Sequence, residues 1–271
     1  MALRHSELCR DWFAFLDSEP IRPLVALNPA LPLKPFKPYL SLVLDVGGRV
    51  RVIRDSLLFL AGHWDVLQRL VCGRESAVAT IDLGADAVFA LSLEVNSQKE
   101  GELTLLLRLA DGRKAAISAF AFERRPDGAY AMRIARIQGV KDSEMQRQLE
   151  KVMFGLRPKS LMLFASQEVA HALGVREVFG ISNASQVYKK KVFIPLPGLR
   201  QLSFDYDAFW AEADGAPDAG GWFRLPPRLE KRELSEIKAN KRSMYKKRYA
   251  MLDGISAQIQ SALGCACTPL P

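Results

Sequence analysis

The sequence contains few of the residues from which most metal and nucleophilic centres are built. Only three of its 271 residues are histidine and four are cysteine. Cys9 and Cys72 stand alone, and Cys265 and Cys267 form one close pair without a second pair or a nearby histidine, so neither a disulfide framework nor a zinc site is predicted. Glu168 and His171 are three residues apart, a spacing at which both could bind one metal ion, but such a pair is only a weak indication of a metal site. We therefore predict no metal centre and two spare thiols near the C-terminus.

Long apolar runs and nucleotide-binding loops are also missing. No segment has the roughly 18 consecutive apolar residues that a membrane-spanning helix needs, and charged residues interrupt the N-terminal 20 residues where a signal peptide would have its apolar core. Neither a Walker loop nor a Gly-x-Gly-x-x-Gly motif is present. These absences predict a cytoplasmic protein without a transmembrane segment, with peripheral attachment to the inner membrane as a second location.

Positive charge is what the sequence has in excess. Lysine and arginine number 38 against 30 acidic residues, which gives a net charge of +8 and a pI of about 9.4. A basic excess favours acidic partners, which include nucleic acid, anionic lipid and acidic proteins such as an acyl carrier protein. Net charge alone does not choose among them.

The hydrophobic pattern predicts an α/β (α+β) fold with a mostly antiparallel central sheet flanked by helices. We expect an N-terminal helix and an extended Pro-rich arm over 1–38, one main domain over 39–262, and a flexible tail over 263–271. Within the main domain the pattern predicts the following elements: a helix at 54–71, four antiparallel strands at about 85–139, helices at 143–154 and 160–173, strands at 175–182 and 202–209, and a long basic helix after 231, broken near Asn240 or Gly254.

A cationic loop precedes the predicted helix at 160–173. It contains Gly155, Arg157 and Lys159, and Ser160 is predicted to be the N-cap. Because a helix N-terminus carries partial positive charge and unpaired N–H groups, two added cations would favour a phosphate or carboxylate there. The alternative is a connector whose charges are merely solvated.

Polar residues follow two predicted strands that could be neighbours. Gln138 lies at the end of the strand in "RIQGVKD", and Asn183 follows the strand in "VFGIS", with Tyr188 shortly after it. If these strands are adjacent, Gln138 and Asn183 meet beside the cationic loop, and this convergence is worth more than any single residue. Each could instead satisfy backbone groups where a strand ends.

The last predicted helix carries a dense run of cations. Between Lys238 and Arg248 there are six basic residues and no acid. The cations of the helix proper are Lys241, Arg242, Lys246, Lys247 and Arg248. Such a face suits a phosphate backbone, anionic headgroups or an acidic carrier protein, and a solvated helix face is the alternative. No nucleic-acid-binding module accompanies the run, which disfavours nucleic acid.

Several motifs in a fixed order resemble the VirK/YbjX family of bacterial proteins over about 36–259. The motifs are "EGEL", "RIQGVKD", "GLRPKSLML", "GISN", "DYDAFW", "GWFRLP" and "KRSMYKKRYAMLD". The resemblance implies an association with virulence and the cell envelope, and it implies no biochemical activity. Family members tend to carry a histidine shortly after the Ser-Asn of "GISN", where this chain has Gln186.

The order of elements also resembles the GNAT-type N-acyltransferases, although their usual phosphate loop is missing. That resemblance implies an acyl-CoA or phosphopantetheine-linked donor, not tightly bound, whose pyrophosphate lies at the cationic loop and whose pantetheine enters between two splayed strands. The leading hypothesis is thus an acyltransferase for envelope or peptide modification, served by an acidic carrier protein or acting on an anionic lipid or peptide. Glu100, Glu102 and Tyr188 are candidate bases, and no catalytic residue is assigned. The alternative is a non-catalytic protein that binds anionic lipid or nucleic acid through its basic helix.

Overall fold

The computed structural model describes residues 2–72, 77–84, 88–96, 98–140, 142–189 and 204–264, so the predicted thiols Cys265 and Cys267 lie outside the described residues. The helices are α1 (Ala2–Leu16), α2 (Arg22–Leu27), α3 (Val46–Gly62), α4 (Trp64–Cys72), α5 (Ser143–Val152), α6 (Pro158–Ala172), α7 (Tyr206–Ala211) and α8 (Arg242–Leu263). The strands are β1 (Ala77–Asp82), β2 (Val88–Val95), β3 (Leu103–Leu109), β4 (Lys114–Arg124), β5 (Tyr130–Gly139), β6 (Glu177–Ile181), β7 (Ala216–Asp218) and β8 (Trp222–Leu225).

All eight strands form one sheet in the order β1-β2-β3-β4-β5-β6-β8-β7. Every neighbouring pair is antiparallel except β5 and β6, which run parallel and are joined by the crossover that contains α5 and α6. Antiparallel neighbours need only a tight turn, and Gly112, with φ +81, supplies the left-handed residue for the β3–β4 turn. The predicted α/β class with a mostly antiparallel sheet is confirmed.

Helices α6 and α8 cover one face of this sheet. From Leu161 to Ala170 every residue of α6 is buried, because the helix lies between β4 and β5 on one side and α8 on the other. Inside this layer the hydroxyl of Ser166 donates to Ser118 of β4 (2.8 Å). At the far edge the side chain of Gln258 in α8 bonds both backbone groups of Thr80 in β1. Through these contacts α8 spans the helical layer from the centre of the sheet to its β1 edge.

The N-terminal part differs from its prediction. The proline-dense arm is not extended: it forms α2 and a 3₁₀ turn over Leu31–Phe36, and in both a proline stands in the first turn, where its missing N–H costs nothing. The helix predicted at 54–71 is two helices, because the chain turns at His63, whose ring bonds the carbonyl oxygen of Phe59 (2.8 Å).

Two predictions in the C-terminal half are also corrected. The predicted strand at 202–209 is wrong, because Asp205 accepts a hydrogen bond from the backbone of Ala208 and caps the short helix α7. The long basic helix predicted after 231 begins only at Arg242, after a 3₁₀ turn over Ala239–Lys241, and 231–238 contain no helix that a break near Asn240 could separate from it. Gly254 interrupts nothing and lies inside α8.

Candidate functional site

Strands β5 and β6 separate toward their carboxyl ends. Their pairing stops at Ile134 and Gly180, yet β5 continues to Gly139 while β6 ends at Ile181. We call the gap beyond this last pair the strand notch. A β-bulge lies at its base, because Ile134 and Arg136 pair with consecutive residues of β4 and Ala135 between them has no partner there. In the notch, backbone groups of β5 therefore have partners other than β6.

Gln186 occupies the base of the strand notch. Its side chain is buried, and its Nε2 donates to the carbonyl oxygen of Ala135 (2.8 Å). Its Oε1 accepts the backbone N–H of Tyr188 (3.1 Å), which orients the segment that carries that tyrosine. Sequence reasoning noticed Gln186 only as a departure from the family pattern, because a glutamine that bonds a bulge carbonyl has no local sequence signature.

Arg136 and Gln138 project from β5 on one face beside the notch. They pair across the ladder with Ala119 and Ile117 of β4, and alternate residues of a strand share a face. The guanidinium of Arg136 donates to Gln138 Oε1 from Nη2 (2.6 Å) and Nε (3.1 Å). The guanidinium of Arg136 thus holds the Gln138 side chain. Gln138 lies near the end of β5, as its position in the sequence predicted.

Glu100 points at the same arginine from the turn before β3. Its carboxylate is 1% exposed, its Oε1 lies 3.6 Å from Arg136 Nη1, and its Oε2 makes no hydrogen bond of ordinary geometry within the described residues, although the Tyr188 hydroxyl is close enough to favour its charged form. Burial raises the pKa of Glu100, and the charge of Arg136 offsets only part of that rise. The turn can bury this side chain because Gly101 has φ +139 and a Cβ there would lie 2.1 Å from the carbonyl oxygen of Phe120. Only glycine fits so close a backbone approach.

Two tyrosines complete the polar cluster. Burial, followed by the charge of Glu100, raises the pKa of Tyr188, whose side chain is half exposed. Burial raises the pKa of Tyr206 to about 12, and the backbone of Ile137 and the side chain of Gln186 offset part of that rise, although neither makes a hydrogen bond of ordinary geometry with its hydroxyl. Buried polar atoms nearly always make a hydrogen bond of ordinary geometry, so those that lack one and lie close together mark a candidate site. We call Glu100, Arg136, Gln138, Tyr188 and Tyr206 the notch cluster.

Glu102, the other candidate base, has a structural role. Tyr39 donates to its Oε2 (2.5 Å), and the Lys34 ammonium lies 3.2 Å from its Oε1 while donating to the carbonyl oxygens of Gly101 (2.6 Å) and Asn96 (3.0 Å). Both charged groups are buried. Its Oε2 accepts from Tyr39, and its Oε1 makes the ion pair with Lys34 without a hydrogen bond of ordinary geometry, so Glu102 is committed to Lys34 and Tyr39 and is not placed to accept a proton from a ligand.

The cationic loop meets the end of β5 at the start of α6. The predicted N-cap Ser160 is wrong, because α6 begins at Pro158, a residue suited to the first helical position, and Arg157 is the N-cap residue. The backbone N–H groups of Lys159 and Ser160 consequently have no intrahelical acceptor. A pocket lies between this helix start and the β5 end; its lining is Gly139, Val140, Gln146, Arg157, Pro158, Lys159, Phe204 and Phe209. We call it the helix-start pocket.

The two cations of this pocket are already partly engaged. Arg157 forms an ion pair with Glu212, and both side chains are about half exposed. The Lys159 ammonium lies 3.9 Å from the centre of the Phe204 ring, and burial together with the charge of Arg157 lowers its pKa. Gly155 does not line this pocket; it has φ +74, and a Cβ there would come 2.9 Å from Arg248 Nη2.

Asn183 is near the notch but its hydrogen-bonding groups serve α7. Its backbone donates to Asp207 Oδ1 (2.6 Å), its Nδ2 to Asp205 Oδ1 (2.6 Å), and its Oδ1 accepts the N–H of Tyr206 (3.0 Å). The predicted convergence with Gln138 is therefore indirect. Asn183 holds the backbone of Tyr206 in place, and Tyr206, not Asn183, belongs to the notch cluster.

The cations of α8 fall into two groups. Arg242 donates to the carbonyl oxygens of Ile237 (2.9 Å) and Ser235 (3.2 Å), and Arg248 donates twice to that of Phe154 (2.7 and 3.1 Å). Arg242 thus ties the first turn of α8 to the segment before it, and Arg248 ties α8 to the loop that follows α5. The exposed residues Lys241, Lys246 and Lys247 take part in none of the ion pairs formed within the described ranges.

Metal ligands do not gather anywhere in the described part of the chain, where no group of three or more His, Cys, Asp and Glu side chains could hold an ion. Glu168, paired in the sequence with His171, instead accepts from Arg228 (2.6 and 2.9 Å) and from Ser256 (2.6 Å). This network links α6, the segment after β8 and α8.

Comparisons with known proteins agree on one family. The model of the family described as "Protein of unknown function (DUF535)" matches residues 1–261. The uncharacterized protein YbjX of Escherichia coli K12 is 28% identical over 265 residues, which cover 92% of this chain and 77% of that protein. Two uncharacterized proteins of Haemophilus influenzae are 31% and 29% identical, covering 80% and 68% of this chain and 70% and 60% of their own lengths. Among the helices described, none has the length and apolar character to cross a membrane.

Proposed function

This chain belongs to the DUF535 family, for which no activity is described, and we propose that it transfers an acyl group from a phosphopantetheine thioester to an amine or hydroxyl acceptor. The donor is an acyl-CoA or an acyl carrier protein. The acceptor is an envelope component or a peptide. The observation that carries the proposal is the buried carboxylate of Glu100, which lies close to the Tyr188 hydroxyl without a hydrogen bond of ordinary geometry at its Oε2, at a strand notch beside a cationic helix start.

The donor has a natural path along these features. Its phosphate fits the helix-start pocket, where the first turn of α6 and the side chains of Arg157 and Lys159 present positive charge, whereas Ser160 lines a neighbouring pocket. Its pantetheine arm is an extended chain of amides, which can pair with the last backbone groups of β5, beyond those that β6, Gln186 and Tyr206 reach. The thioester then lies at the notch cluster.

The notch cluster supplies both proton-transfer groups that the reaction needs. The acceptor N–H or O–H attacks the thioester carbonyl, Glu100 takes the acceptor's proton, the new C–N or C–O bond forms and the C–S bond breaks. Tyr188, whose hydroxyl is protonated near neutral pH, donates a proton to the departing thiolate, which is the stronger base of the two once the C–S bond has broken and no water solvates it. A carboxylate whose pKa is raised by burial is a better base near neutral pH than a solvated one.

Removing the cations of the helix-start pocket is expected to weaken donor binding. In Arg157→Ala/Lys159→Ala the affinity for acyl-CoA should fall by about a hundredfold or more, because two charge-assisted hydrogen bonds to a phosphate, at about 1.5–3 kcal/mol each, are lost. Thermal unfolding with and without acyl-CoA measures the change, since a ligand that binds the native state raises the melting temperature.

The matched control is Lys37→Ala/Lys114→Ala, which removes two exposed cations elsewhere on the molecule. The control should keep the full shift of melting temperature with acyl-CoA. An unchanged shift in Arg157→Ala/Lys159→Ala, or no shift in the parent protein, would count against the transferase proposal.

The rival function is non-catalytic binding of anionic lipid or nucleic acid through α8. The observation in its favour is the exposed lysine group on that helix, Lys241, Lys246 and Lys247. It predicts binding whose affinity falls steeply with salt and which does not depend on Glu100 or on the helix-start pocket. The two functions are therefore separated by the same set of variants.

A further inference from the structure

A second concave surface lies on the other side of the cationic loop. It separates the C-terminal end of α5 from the first turns of α8, and its lining is Glu150, Lys151, Phe154, Gly155, Asn240, Ser243, Met244 and Lys247. We call it the basic cleft. The acyl transfer described above uses none of the residues that line the basic cleft, so the cleft needs a separate explanation.

The rim of the basic cleft carries uncompensated positive charge. Lys151 and Lys247 lie on its two walls, Lys241 and Lys246 are exposed on the same end of α8, and none of the four joins an ion pair within the described residues. The first turn of α8 contains no acidic residue, and no side chain caps its N-terminus. Helix dipole and side chains therefore add to one positive field.

The floor of the cleft is apolar and rigidly held. Phe154 and Met244 are half-buried there, and Arg248 clamps the Phe154 carbonyl oxygen with two hydrogen bonds. Phe154 and Gly155 both have left-handed backbone angles (φ +55 and +74), so the loop is shaped for this contact. An apolar floor within a cationic rim fits an acidic protein helix that presents one apolar side chain.

The cleft and the donor site are two sides of one short loop. Gly155 lines the basic cleft, and Arg157, only two residues later, lines the helix-start pocket. A partner seated in the cleft would therefore deliver a prosthetic group attached near its docking helix directly to the start of α6. A free coenzyme has no use for the cleft.

Resting on the proposed function, we infer that the thioester donor is an acidic acyl carrier protein that docks in the basic cleft and extends its phosphopantetheine into the helix-start pocket and the strand notch. A membrane or a nucleic acid would need a broad cationic surface. Here Lys151 and Lys247 line one cleft together with the acidic Glu150, and Lys241 and Lys246 are exposed on the same end of α8 outside its lining. The geometry favours one protein helix over an extended polyanion.

The test compares two charge-reversed variants of the full chain. Lys151→Glu/Lys247→Glu changes both walls of the cleft, and Lys37→Glu/Lys114→Glu makes the same change of net charge on exposed lysines elsewhere. Binding is measured by fluorescence anisotropy with a labelled bacterial acyl carrier protein that carries a non-hydrolysable acyl-phosphopantetheine. We expect the cleft variant to lose about tenfold or more in affinity and the control to change little, because reversed charges at a docking rim oppose encounter and binding.

Two further measurements separate docking from donor chemistry. The carrier protein without its prosthetic group should bind more weakly than the loaded form, and Arg157→Ala/Lys159→Ala should remove that difference. Acyl-CoA should raise the melting temperature of the cleft variant as much as that of the parent. If acyl-CoA binds but the loaded carrier does not, the docking inference is overturned while the transferase proposal stands.

Other outcomes count against one claim or the other. Equal affinity of the cleft variant and the parent for the loaded carrier would overturn the inference. So would anionic vesicles or duplex DNA that bind the parent more tightly than the carrier does and lose binding in the cleft variant. Failure of both acyl-CoA and the loaded carrier to bind would contradict the proposed function itself.

Discussion

Replacing Lys34 by methionine is expected to lower the free energy of unfolding by about 3–5 kcal/mol, the usual cost of breaking a buried ion pair. Lys34 and Glu102 are 6% and 3% exposed. Without the ammonium, the Glu102 carboxylate is buried without a counter-charge, the carbonyl oxygen of Gly101 loses a donor, and that of Asn96 keeps only the bond from Asn28 Nδ2 (3.2 Å). Chemical denaturation of the variant and the parent measures the difference.

The exposed neighbour Lys37 provides the matched control, and Lys37→Met should change the free energy of unfolding by no more than about 0.5 kcal/mol. The double variant Lys34→Met/Glu102→Met should recover much of the loss, because an apolar pair needs no charge compensation. A loss below about 1 kcal/mol in Lys34→Met, compared with the usual cost of a broken buried pair, would show that the pair does not hold the arm in place.

The pKa of Lys34 gives the same prediction a pH dependence. Burial lowers that pKa more than Glu102 raises it, so the folded state releases this proton more readily than the unfolded state. The contribution of Lys34 to the free energy of unfolding therefore rises as the pH increases from the pKa of Lys34 in the folded state to the ordinary lysine pKa of the unfolded chain. In Lys34→Met this alkaline contribution should disappear from the pH profile of stability.

The arm that contains Lys34 positions both sides of the notch cluster. The backbone of Leu40 donates to the carbonyl oxygen of Lys99 (2.8 Å), next to Glu100, and that of Leu42 donates to the carbonyl oxygen of Ser185 (2.8 Å), next to Gln186. Loss of the Lys34 contacts should thus disturb the site as well as the fold. No local pattern in the arm could predict this, because its partners lie about 60 residues away in the sequence.

Local patterns did predict the frame of the site. Alternating apolar residues predicted β2 to β5 and β6. The sequence also predicted that the cationic loop lies next to the end of β5. In the structure a Cβ on Gly139, the last residue of β5, would lie 3.5 Å from the Lys159 side chain. The side chains that complete the site come from turns and irregular segments, such as Glu100 and Gln186. Their burial depends on long-range packing, so the sequence could offer Glu100 only as one guess among three.

Charge composition was informative but could not assign roles. Arg242 and Arg248 look equivalent to their lysine neighbours in the sequence, yet each donates several hydrogen bonds to backbone carbonyl oxygens while the lysines extend into solvent. The planar guanidinium with its several donors suits carbonyl capping, whereas a lysine ammonium keeps its hydration at low cost. Substitutions of the whole cationic run would therefore mix a structural effect with a binding effect, and only the lysines test a partner.

Replacing Glu100 by glutamine is expected to reduce acyl transfer by about a hundredfold to ten-thousandfold, the range for loss of a general base. Glutamine keeps the size of the side chain and its contact with Arg136 but cannot take the acceptor's proton. The assay follows thiol release from an acyl-CoA with a small primary amine as acceptor. The parent rate should rise with pH as Glu100 loses its proton, and this dependence should be absent from Glu100→Gln.

The stability of Glu100→Gln should not fall when its transfer rate falls, so unfolding of the variant would not explain the lower rate. The pKa of Glu100 is raised in the folded state, so the folded state binds this proton more tightly and stability from this group falls as pH rises from the ordinary glutamate pKa through the folded pKa. Glu100→Gln mimics the protonated form and should be at least as stable as the parent at neutral pH. Glu102→Gln, the matched control, should instead lose stability because it leaves the Lys34 ammonium buried without its counter-charge. A Glu100→Gln protein with the parent's transfer rate and pH profile would remove Glu100 from the chemistry and leave it a structural residue.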